Sequence, residues 1–252
     1  QSSAVAIPVP VGMRAGDQEV GAVLDRDGAG DRVADHAPAL DDAPIVGSFE
    51  DARAAAEGAI DALYIGIAPI GGGFDDAWRT DVRAAITAGC DVVSGLHYFL
   101  SEDTEFTALA ADHGVDLRDV RRPPDDIGVA TGQSGDVDAD VVLTVGTDCS
   151  VGKMTAALEI VAAARDRGID AAFVPTGQSG IMTAGWGTPL DPVGSALTPG
   201  ACEALVLTAR HRHHPPAGDG QRPRLPPARS PARPAIHPSH HVGRRALRDP
   251  VG

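Results

Sequence analysis

Eight consecutive residues, Gly146-Thr147-Asp148-Cys149-Ser150-Val151-Gly152-Lys153, join two glycines to the only lysine among 252 residues. An apolar run, 141–145, precedes them and a helical pattern follows. A glycine loop between a strand and a helix presents successive backbone N–H groups at the positive end of the helix, an arrangement that holds phosphate oxygens. Gly146 and Gly152 permit the turn and a close approach of backbone to ligand. Lys153 adds a compact ammonium, and the planar fork of an arginine needs different space. All the other Lys and Arg residues, twenty of the 21, are arginine, so the single lysine stands out where this chemistry wants one. The common pattern has four residues between the glycines and a hydroxyl residue directly after the lysine. Here there are five, and Met154 comes before Thr155. Thr155 is the expected metal ligand, Thr147 belongs to the phosphate loop, and Asp148 is read as a partner for a metal or an amine, or as a cap of the loop.

Softer candidates follow other strand signals. His97 closes the stretch Ser94-Gly95-Leu96-His97 and offers a group that exchanges protons near neutral pH; a backbone-satisfied histidine at a helix start is the competing reading. The loop 68–74, with three successive glycines, follows a buried strand, where parallel sheets bind ligands at their carboxyl ends. The stretch 176–180 places Thr176, Gly177, Gln178 and Ser179 after a second strand signal, as neutral donors beside the phosphate loop. The same five residue types occur at 131–135, which the composition of loops explains as chance. Cys149 reads as a small packing residue, since nothing near it in sequence would depress its pKa.

The elements that must carry these residues alternate. Strand patterns at 19–25, 43–48, 61–68, 90–95 and 115–120 are separated by helical patterns at 49–60, 75–89 and 102–113. Such alternation predicts βαβ units and a parallel sheet with right-handed crossovers. The segment 121–140, rich in Pro, Gly and Asp, lacks periodicity and marks a boundary. Beyond it the pattern predicts a strand at 141–145, a helix at 152–167, a strand at 170–176 and a helix near 199–207. The expected organisation is an N-terminal domain over 1–122, a linker over 123–139, an α/β domain over 140–208 and a tail over 209–252.

Composition bounds the partners. The formal net charge is −14, but residues 209–252 hold nine arginines against two acids, which leaves 33 acids against 12 bases in residues 1–208. So acidic a body repels nucleic acid and anionic membranes and points to a small-molecule substrate. Abundant Asp, one lysine and few aromatics predict a salt-adapted, halophilic protein. No run of 18 apolar residues predicts a membrane span, the first residues lack the pattern of a leader, and three unpatterned cysteines predict a reduced, cytoplasmic setting. A homo-oligomer is compatible with all of this. In the tail, 34 of 44 residues are Arg, Pro, His, Ala or Gly. A GC-rich gene read out of frame produces that composition and would leave the second domain incomplete; a disordered basic tail is the other reading.

Six blocks taken together resemble one family. The stretches DAPIVGSFEDA, YIGIAPIGGGFDDAWR, AAITAGCDVVSGLHYFLSED, DVRRPP, VLTVGTDCSVGKMTAALEI and FVPTGQSGIMTAGWG are similar to the D-glutamate N-acetyltransferase-like (DgcN) family, a resemblance that runs from about residue 16 to residue 203. The loop GTDCSVGKMT also resembles those of dethiobiotin synthetase and cobyrinic acid diamide synthase, which carry the same extra residue. The resemblance implies a Rossmann-like N-terminal domain, a P-loop C-terminal domain, and transfer of an acetyl group from acetyl-CoA to the amino group of D-glutamate or a similar acidic amino acid. It implies Gly146, Thr147, Asp148, Gly152, Lys153 and Thr155 as the phosphate loop with Gly177 and Gln178 beside it. For acetyl transfer, His97 or Asp148 is the candidate general base, and backbone N–H groups or Gln178 the candidate oxyanion donors. After Glu203 no family block is found. The loop alone also suits an ATP- and Mg²⁺-dependent ligase or kinase that activates a carboxylate, or a nucleotide-binding or inactive fragment.

Overall fold

The computed structural model describes residues 2–7, 18–37, 42–56, 60–67, 69, 72–148 and 151–213. Six strands form one parallel sheet in the order β3-β2-β1-β4-β5-β6. They are β1 (Ser2–Ile7), β2 (Gln18–Leu24), β3 (Ile45–Val46), β4 (Ile60–Ile65), β5 (Asp91–Ser94) and β6 (Leu117–Asp119). This is the strand order of the dinucleotide-binding α/β fold, with its reversal between β1 and β4. The five strands expected in the first half are present. The central one, β1, was not foreseen, because six residues at the very start followed by Pro8 and Pro10 give too short a pattern to read.

The connecting helices show why these segments fold as they do. Helix α1 (Val33–His36) is a single turn, and α2 (Phe49–Ala55) starts where the Ser48 hydroxyl accepts from Asp51 N. Helix α3 (Asp76–Thr87) is capped by Asp75, and α4 (Thr104–His113) by Asp103, which accepts from the backbone N–H groups of Glu105 and Phe106. Each cap satisfies donors that a helix start leaves orphaned. Phe49, Val82, Ile86, Leu96, Leu100 and Phe106 pack with Leu24, Leu63, Ile65 and Val92 from the strands into one buried core. Buried Asp81 ties three elements by accepting from Phe49 N at 2.9 Å and pairing with Arg26.

The second half differs from its expectation. It contains α5 (Lys153–Asp166), α6 (Gln178–Ala184) and α7 (Thr198–His213), as foreseen for two of the three. The strands expected at 141–145 and 170–176 are absent: both segments are irregular chain outside the sheet. Val141, Val142, Leu143 and Val145 are 69 to 81% exposed, and α5 buries no residue. A parallel strand exists only through its neighbours, and among the described residues of this half none pairs with these runs. The apolar pattern was legible; the missing hydrogen-bonding partners were not.

Asp103 gives the first half a measurable pH dependence. Burial alone would raise its pKa, but Arg79 at 2.7 Å, Tyr98 at 2.5 Å and the two N–H groups of α4 outweigh it and hold the carboxyl at about 2, against 3.8 when free. Its stabilisation is therefore present above about pH 4 and is lost as pH falls toward about 2. Replacing Asp103→Asn is expected to cost about 2 kcal/mol at neutral pH in urea unfolding, with the gap from wild type closing across that acid window.

Candidate functional site

The carboxyl end of β5 is where the two halves meet. Gly95 N donates to Ile65 O at 2.8 Å, so the chain leaves β5 still registered against β4. Asp119, at the end of β6, accepts from Leu100 N and Ser101 N, both at 2.9 Å, and so fixes the loop that carries His97. Gly72, at φ +71°, lies beside that loop: a Cβ built there would sit 3.7 Å from the His97 Cβ. Phe74 then stacks on Tyr98 at 5.5 Å and anchors the glycine loop. Of the loop 68–74, residues 68, 70 and 71 lie outside the described residues.

From the other half, Gln178 begins α6 with Gly177 as its extended N-cap. Gly95 leaves room for a close approach by both halves. A Cβ there would stand 3.0 Å from Ile65 O, 3.1 Å from Gln178 Cγ and 3.1 Å from Met182 Cε. Leu190 N donates to Thr176 O at 3.0 Å and brings Asp191 alongside. The Asp191 carboxylate pairs with Arg121 Nη1 at 2.5 Å and lies 3.9 Å from His97 Nδ1, while Arg121 Nε donates to Gly95 O at 2.6 Å. His97 is half exposed and Arg121 is buried. The structure thus brings Gln178 against Gly95, two residues before His97, and Asp191 within 3.9 Å of His97 Nδ1.

The described ends of the candidate phosphate loop, 146–148 and 151–153, are held by local contacts. Gly152 is the N-cap of α5 at φ +90°, a conformation that suits glycine, and Lys153 is the first helical residue. The Lys153 stem lies over Gly146, where a Cβ would be 3.1 Å from its Cγ and 2.7 Å from Val151 Cγ2. Its Nζ donates to Asp148 O at 2.5 Å. Thr147 and Asp148 are exposed, and Thr155 is exposed in the first turn of α5. Cys149 lies outside the described residues. Of the remaining cysteines, Cys90 is buried and its thiol is pushed up to about 11, chiefly by burial, which makes it a packing group; Cys202 is exposed. No group of three or more His, Cys, Asp or Glu that could hold a metal occurs among the described residues.

Three residues of this region escaped the sequence reading. Arg121 opens the aperiodic boundary segment 121–140, and Asp191 lies in a Pro- and Gly-containing turn that resembles any other. Glu203 accepts from Thr131 N at 2.6 Å, Thr131 Oγ1 at 3.0 Å and Ser134 N at 3.2 Å. These bonds, the Thr131 N–H first, outweigh burial and hold its carboxyl below the usual range. The first copy of TGQSG is thus a structural clasp on α7.

Family models match both halves: "Domain of unknown function (DUF1611_N) Rossmann-like domain" over residues 26–123 and "Domain of unknown function (DUF1611_C) P-loop domain" over residues 128–218. The chain belongs to the DUF1611 family. A DUF1611 family protein from Anabaena variabilis superposes with a TM-score of 0.74 at 32% identity, covering 82% of this chain and 63% of that one. Two curated relatives, both named D-glutamate N-acetyltransferase, are 38% identical. The one from a Pseudoalteromonas species matches 60% of this chain and 45% of its own length. The one from Tritonibacter scottomollicae matches 63% and 46%. The DUF1611 chain therefore spans less than half the length of these relatives, and the resemblance read from its six blocks is confirmed at the level of family and fold. No helix among the described residues is long and apolar enough to cross a membrane.

The close approach at Gly95 is testable. Gly95→Ala is expected to push Gln178 and Met182 off the end of β5 and to cost about 1–3 kcal/mol in urea unfolding, the usual range for overpacking. Gly73→Ala, which meets nothing within 4 Å, serves as the control and is expected to cost far less.

Proposed function

We propose that this chain carries the elements of an N-acetyltransferase that moves the acetyl group of acetyl-CoA to the amino group of D-glutamate or a similar acidic amino acid. The observation that carries this reading is the approach of Gln178 to Gly95, two residues before His97 in the chain, in a protein 38% identical over 60 to 63% of its length to two proteins named for that reaction. The CoA phosphates would lie on Gly146, Thr147, Asp148, Gly152, Lys153 and Thr155, with Gly177 beside them. Bound there, acetyl-CoA supplies an activated acyl carbon.

The protein's part is proton transfer and charge stabilisation. The acceptor amine attacks only when deprotonated, and His97 is the group that takes its proton. A carbon–nitrogen bond forms, the carbon–sulfur bond breaks, and the sulfur leaves with the electron pair; the proton held by His97 passes to that thiolate. Gln178 donates to the oxyanion formed between these two steps. Asp148, exposed in the loop proposed to hold the CoA phosphates, is the other candidate base.

Equilibrium titration of the full chain with acetyl-CoA, and separately with ATP and Mg²⁺, separates this reading from a ligase or kinase. Acetyl-CoA is expected to bind and ATP with Mg²⁺ to bind far more weakly, and Lys153→Ala is expected to weaken acetyl-CoA by at least about tenfold, the scale of a charge-assisted contact. Binding of ATP with Mg²⁺ alone would replace the acetyl-transfer reading by carboxylate activation. Unchanged acetyl-CoA affinity in Lys153→Ala would remove the loop from the site.

A further inference from the structure

We infer that Arg121 is the anchor for a carboxylate of the acyl acceptor, and that Asp191 occupies this anchor until the acceptor displaces it. The inference deepens the acetyl-transfer reading, on which it rests for the acceptor's class. Arg121 follows β6 by two residues, at the carboxyl edge of the parallel sheet, where ligands of such sheets bind. Its side chain is only 8% exposed, and its Nε is locked on Gly95 O at 2.6 Å. That bond fixes the plane of the guanidinium without help from Asp191. The Nη edge is left as a preset fork for a carboxylate.

The present partner at that edge is made to leave. Asp191 is 39% exposed and stands in a turn at the surface, so its carboxylate returns to water at small cost. Arg121 has no such option. A buried guanidinium stripped of its counter-charge is strongly destabilising, so departure of Asp191 requires another anion in its place. A carboxylate of an acidic amino acid has the same charge and the same two oxygens. The Asp191 oxygen on Arg121 is also the one 3.9 Å from His97 Nδ1. An acceptor seated there brings its carbon chain to the base. In a body with so large an excess of acids, a fixed buried cation also supplies the local attraction an anionic acceptor needs.

The test is a calorimetric titration of the full chain with glutarate, a dicarboxylate lacking the amine, in the absence of acetyl-CoA. It is blind to whether the phosphate loop holds CoA, so failure of either claim leaves the other standing. Glutarate is expected to bind the wild-type chain. Arg121→Gln is expected to weaken it by at least about tenfold, and Arg121→Lys, which keeps the charge but loses the fork, to weaken it less. Asp191→Asn, which removes the competing charge, is expected to tighten glutarate several-fold. Asp191→Asn leaves the buried guanidinium without its counter-charge, so it is expected to be less stable than wild type without ligand and to regain stability with glutarate; tighter glutarate binding supports displacement, while unchanged or weaker binding overturns it. No glutarate binding by the folded wild-type chain also overturns it.

Discussion

The buried guanidinium of Arg121 is the contact on which the arrangement of the site depends. It holds the end of β5 through Gly95 O and a surface turn of the other half through Asp191. Around it, Gly95 allows Gln178 to approach the strand end, and Asp119 fixes the loop bearing His97. None of these contacts is local in sequence. They form because the parallel sheet ends β4, β5 and β6 along one edge, and a parallel sheet with short connections does so by construction.

The two halves reach that edge with different support. In the first, capped helices cover the sheet, and each apolar run lies between neighbours. In the second, the same kind of run leads into the phosphate loop without a partner strand among the described residues, so its valines and leucine face solvent. At the described ends of the loop, the positive φ of Gly152 and the fold-back of Lys153 over Gly146 need only nearby residues. These local features and burial of the run that precedes them are therefore separable here.

What could be read beforehand follows this division. The α/β class, the parallel sheet and the phosphate loop rest on periodicity and on residues close in sequence, and they were legible. The central strand β1 lay in too short a pattern. The strands at 141–145 and 170–176 were expected from apolar runs, but a run records the demand for burial and not the presence of neighbours. His97 and Gln178 stood out because each follows a strand signal. Arg121 and Asp191 did not, because their meaning comes from a pairing 70 residues apart in the chain. The two copies of TGQSG show the same limit: identical residues make a clasp for Glu203 at one place and a helix start beside Gly95 at the other.

The account stands on a single site built from both halves. Amide hydrogen exchange with acetyl-CoA and glutarate added together tests this most directly. The account predicts slower exchange at 95–97 and at 177–180 together with 146–155. Protection confined to 146–155, with the amides around Gly95 and Gln178 unchanged, would contradict it.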